Sequence, residues 1–98
     1  MKAKYFKYLD ISTAHMTKKD DAILTKGVKD LILDSYEYGY RIYISKDTKE
    51  DFKDFIDCLK KNEFSKSFIK VFKWARKKDM DWVQFDADGY TYPNLDTH

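Results

Sequence analysis

The chain has one cysteine, one proline and three glycines among 98 residues. A lone Cys58 excludes an intramolecular disulfide framework. No apolar run approaches the ~20 residues of a membrane span, and no secretory h-region is present. Together these absences point to a cytoplasmic protein with no membrane partner. So little Gly and Pro argues against a linker or a disordered chain. There is no internal repeat, no Gly-rich phosphate loop and no zinc-type spacing. Histidine is confined to His15 and His98, and arginine to Arg41 and Arg76. No cofactor and no metal are therefore expected, and the expected function is non-enzymatic.

Aromatic residues are abundant at 17%: eight Tyr, seven Phe and two Trp. A single core in one domain, 1–98, needs only some of these large side chains. The surplus predicts tyrosines at the surface, where they suit protein contacts. Net charge is only +2, but it is segregated along the chain. Residues 60–78 hold eight bases and one acid, whereas 79–98 hold five acids and no base. An all-acidic mimic of DNA does not fit that layout.

The local patterns predict a strand over 4–12, with Leu9 and Ile11 on one face. Thr17, with Asp20 three residues on, reads as a capping box that starts a helix at Lys18. Residues 27–36 admit two readings. Leu24, Val28, Leu31 and Ile32 fit a helical face running through Gly27 to about Asp34. Alternatively Gly27 stops the helix, Leu31–Tyr36 is a strand, and Glu37-Tyr38-Gly39 turns into the strand Tyr40–Ser45. Thr48 caps a helix to Lys61 with the stripe Phe52, Phe55, Ile56 and Leu59. A third helix, about 66–78, is capped by Ser65 or Ser67 and buries Phe68, Ile69, Phe72 and Ala75. A last strand, Met80–Asp86, precedes the turn 86–89 and a polar, irregular tail; the tail region is 87–98. The fold class is α+β: a two-layer domain, with a mostly antiparallel sheet of three or four strands and about three helices on one face.

Two surfaces stand out as candidate partner-binding sites. Lys66, Lys70, Lys73 and Lys77 recur at i, i+4, i+7 and i+11, one face of the third helix. Such a stripe suits nucleic-acid phosphates, although a solvated helix face has the same pattern. Tyr36, Glu37, Tyr38 and Tyr40 cluster around the turn, either as an exposed contact loop or as rings packed on the sheet. His15 near Asp20-Asp21 suggests a site only weakly; a capping or surface role is the plainer reading. Asp86-Ala87-Asp88-Gly89 resembles the start of a calcium loop but lacks the later ligands. Cys58 lies beside an apolar stripe and reads as a buried, inert thiol.

Three blocks together resemble a family of small bacterial domains of unknown function carried on plasmids and other mobile elements. They are Ser12–Thr17 with Asp20-Asp21, Tyr36–Tyr40, and Trp74-Ala75-Arg76 leading into Asp81–Asp86. The resemblance implies an accessory protein encoded near antirestriction genes. It further implies an anti-defence inhibitor that binds a protein of a bacterial defence complex such as a CRISPR–Cas effector. It supplies no catalytic residues. The alternative is a nucleic-acid-binding regulator of the element, acting through the basic helix 66–78.

Overall fold

A computed structural model describes residues 5–98; Lys4, where the expected first strand begins, lies outside them. The strands are β1 (Tyr8–Ser12), β2 (Leu33–Tyr36), β3 (Gly39–Tyr43) and β4 (Trp82–Asp86), and the helices are α1 (Lys18–Lys26), α2 (Lys49–Lys61) and α3 (Lys66–Lys77). One turn of 3-10 helix, Thr13–His15, follows β1. The sheet order is β1-β4-β3-β2. β3 runs antiparallel to both of its neighbours, while β1 and β4 are parallel. The α+β class is as the sequence predicts, with that parallel pair added.

The ambiguous stretch resolves as a hairpin. Gly27 sits at φ 88°, in the half of backbone space that other residues avoid, and it ends α1 with its N–H bonded to the Leu24 carbonyl. The helical reading to Asp34 is thereby overturned. Its apolar period arises because Val28 and Leu31 pack on the core from an irregular loop, while Ile32 stays 58% exposed.

All three helices have side-chain N-caps. Thr17 and Thr48 form reciprocal capping boxes with Asp20 and Asp51, and the Ser65 hydroxyl accepts from the Phe68 N–H. Alternation then sorts the sheet into two faces. Leu9, Ile11, Ile42, Val83 and Phe85 point inward and are buried with the helix stripes. Phe85 stacks on Phe68 at 5.2 Å, and Phe72 meets Phe55 edge-on at 5.3 Å, which ties β4, α3 and α2 together.

Among the described residues no helix covers the opposite face, where strand register arranges the side chains in three rows. Tyr8, Trp82 and Tyr43 form an aromatic row. Asp10, Gln84, Arg41 and Asp34 form a polar row, joined by hydrogen bonds from Gln84 to Asp10 and from Arg41 to Gln84 and Asp34. Ser12, Asp86, Gly39 and Tyr36 form the third.

The tail has no helix or strand, but it is tied down. Leu95 is buried, and Trp74 meets Tyr92 edge-on at 5.0 Å. The Ser12 N–H donates to the Tyr90 carbonyl and the Tyr92 hydroxyl to the Asp10 carbonyl, so the tail covers the outer edge of β1.

Candidate functional site

The Tyr36–Tyr40 segment is the tip of the β2–β3 hairpin. A tight approach fixes it: a Cβ on Gly39 would lie 1.7 Å from the Phe85 carbonyl oxygen, so only glycine lets β3 reach β4 there. The three tyrosines have different fates. Tyr36 and Gly39 pair across the turn, and the Tyr36 ring lies under the Arg41 guanidinium at 4.4 Å. The Tyr36 hydroxyl donates to Asp86 at 2.7 Å, and burial together with that carboxylate pushes its pKa up to about 12. Tyr40 points to the helix side, where its hydroxyl donates to Asp21 and meets the Thr25 hydroxyl. Burial raises its pKa as well. Tyr38 alone stands out from the turn, 56% exposed. Tyr36 and Tyr40 thus brace the hairpin, as the packed-ring reading expects, whereas Tyr38 points out to solvent.

Beside the turn is an open groove of about 600 Å³. One wall is Ser35 through Tyr40; the other is Thr13, Met16, Thr17, Lys18, Asp21 and Thr25. Of the second wall, the sequence singles out only Asp21, in the weak His15 candidate, and Thr17, as a helix cap. The groove is mixed in character, with a cation, two carboxylates, hydroxyls and aromatic rings. That lining fits a protein surface better than a phosphate.

The lysine face is a separate surface. Lys66, Lys70, Lys73 and Lys77 are all exposed, and none pairs with an acid among the described residues. Lys60, Lys66, Ile69, Lys70 and Lys73 line a shallow depression of about 370 Å³ that shares no residue with the hairpin groove.

The weaker candidates receive structural roles. His15 is fully buried, which corrects the expectation of a capping or surface residue. Its Nδ1 donates to the Asp96 carbonyl and its Nε2 accepts from the Tyr92 N–H, so both nitrogens anchor the tail. Asp20 is also fully buried, accepting hydrogen bonds from the Ser65 N–H and hydroxyl and from the Thr17 N–H. At the 86–89 turn, Asp86 accepts from the Tyr36 hydroxyl and from the Asp88 N–H, and these two bonds, the first above all, hold its carboxyl below the usual carboxylate range. Cys58 is half-buried; burial and then Asp30 raise its pKa, which favours the unreactive thiol. Among the described residues no three His, Cys, Asp or Glu side chains converge as metal ligands. No helix among them is long and apolar enough to cross a membrane.

Residues 8–98 match a family described as a family of unknown function (DUF5983), C-terminal domain. No curated protein and no solved structure gives a significant match.

Proposed function

The chain belongs to the DUF5983 C-terminal domain family, and on that premise we propose that it is a binding protein, not an enzyme. In this reading it is an anti-defence protein of a mobile genetic element and inhibits a host defence nuclease, such as a CRISPR–Cas effector, by binding it. The observation that carries the binding role is Tyr38, an exposed ring on a hairpin tip that Gly39, Tyr36 and Tyr40 hold in place beside an open groove. A rigid, exposed tyrosine loses little side-chain entropy on docking, which suits a central anchor. The anti-defence role rests on the resemblance of the three sequence blocks. Its test is co-expression with candidate nucleases and measurement of phage or plasmid protection. Protection that Tyr38→Ala abolishes is the expected result; no protection against any co-resident defence system overturns the reading.

A second reading, a nucleic-acid-binding regulator, is favoured by the four exposed, unpaired lysines of α3. It requires DNA or RNA binding that falls steeply with salt and is lost in Lys70→Glu/Lys73→Glu. Absence of binding at ~50 mM salt, where such contacts are strong, removes it.

A further inference from the structure

We propose that the uncovered face of the sheet is a second docking surface, whose occupant is a cationic, Lys- or Arg-rich segment of a partner protein. This inference stands apart from the hairpin and from the anti-defence reading.

The aromatic row comes first. Tyr8 stacks on Trp82 at 6.0 Å and Tyr43 meets Trp82 edge-on at 5.2 Å, so three rings form a continuous strip across three strands. Tyr8 is 49% exposed and the other two are half-buried. Exposed rings on an open sheet suit two kinds of ligand: nucleobases, which stack on them, and cations, which sit over their faces.

Charge decides between these. Among the described residues, Arg41, Lys46 and Lys7 each have an acidic partner. Arg41 pairs with Asp34 at 3.1 Å, Lys46 pairs with Asp79 at 2.8 Å and Asp81 at 3.5 Å, and Lys7 lies 3.8 Å from Asp79. Asp10 and Asp86 have no such partner among the described residues: Asp10 accepts from the Gln84 amide, and Asp86 from the Tyr36 hydroxyl and the Asp88 N–H. Asp10 stands one row from the rings, ~7 Å along the strand, and Asp86 one row further. A phosphate backbone laid over the rings would therefore meet unneutralised carboxylates. A Lys or Arg head group over Trp82 would instead meet a π-face and a carboxylate together. The bipolar character of the sequence thus becomes two surfaces, a basic one on α3 and an aromatic, acidic one on the sheet.

The experiment uses the full chain and a nona-arginine peptide, followed by NMR. Trp74, packed against Tyr92 in the helical layer, is the internal control. The expected result is movement of the Trp82 indole N–H signal with Trp74 unmoved, and an affinity that falls as salt rises. Asp10→Asn and the charge-neutral Tyr43→Ala should each weaken binding about tenfold. Two substitution types, each checked for a native spectrum, separate a lost site from a lost fold. Unchanged affinity in both variants overturns the proposal. So does a stronger response of Trp82 to single-stranded oligothymidylate, which would make the face a base-stacking platform. Self-association that Lys70→Glu/Lys73→Glu removes also overturns it, since a second copy would then be the occupant.

Discussion

The Tyr36 hydroxyl donates to the Asp86 carboxylate at 2.7 Å, spanning the outer sheet row in which Gly39 lies between them. The pair fastens the hairpin to the end of β4; burial and then the Asp86 carboxylate push the Tyr36 pKa up to about 12, and the Tyr36 hydroxyl holds the Asp86 carboxyl down.

That coupling sets a pH dependence at the alkaline end. In the unfolded chain a tyrosine ionises near 10. Between that pH and about 12 the unfolded chain has lost this proton while the native state keeps it. The stability contributed by Tyr36 is therefore complete below pH ~10 and is lost as pH rises through about 12. The phenolate difference spectrum of wild type against Tyr36→Phe should show one late-titrating tyrosine. Asp86→Asn should bring that titration back towards the ordinary tyrosine range.

Two glycine substitutions should differ in cost. Gly39→Ala places a Cβ 1.7 Å from a backbone oxygen of β4, and backbone cannot step aside cheaply. A loss of about 3 kcal/mol is expected. At Gly27 there is open space, but φ 88° with ψ 153° is a conformation nearly confined to glycine, so Gly27→Ala should cost about 2 kcal/mol. Urea denaturation midpoints of the two variants test the order.

The contrast also marks what the sequence reveals and what it hides. Thr17, Thr48 and Ser65 announce their helices because a cap and its partner lie three residues apart, within reach of local reading. The stripes of α2 and α3, and the alternation through Ile42 and Ile44, are legible for the same reason. At Gly27 the local signal failed, since apolar spacing cannot tell a helix from a loop that buries the same residues. Distant partners left no signal at all. Nothing near His15 shows that its ring nitrogens meet Tyr92 and Asp96. Nor does anything near Tyr8 show that Trp82 will stand beside it. In the candidate site, Tyr38 and the lysine face were legible as exposed positions, but the α1 wall of the groove required the fold.

Asp20 should prove the most sensitive polar residue. It closes the capping box of α1 and accepts the backbone N–H and hydroxyl of Ser65, the cap of α3. Asp20→Ala leaves those buried donors without an acceptor and should cost about 3 kcal/mol. Asp20→Asn, which keeps one carbonyl oxygen, should cost less. Thermal melts of both variants at pH 7 provide the check.

At an identified partner, the two candidate surfaces should act on different rate constants. Tyr38→Ala should hasten dissociation at an unchanged association rate, with a loss of about 2 kcal/mol if the ring is a central anchor. Lys70→Glu/Lys73→Glu should chiefly slow association, and the slowing should shrink at high salt. Surface plasmon resonance at two ionic strengths separates these effects. An unchanged dissociation rate in a folded Tyr38→Ala protein would reduce the loop to a turn.

The position of β4 bears on how the chain acquires its structure. It is an inner strand of the sheet, paired on one side with β1 and on the other with β3, yet it is the last strand in chain order. Until Trp82–Asp86 is available, β1 and the β2–β3 hairpin have no shared neighbour. The loop closed by joining Tyr8 to Trp82 spans most of the chain. Helix formation can begin early from local caps, but sheet assembly waits for a contact of high sequence separation, which places the rate-limiting step late and makes it slow for a domain of this size. On the ribosome, the sheet can close only after β4 has left the exit tunnel, with an unpaired hairpin exposed in the interval.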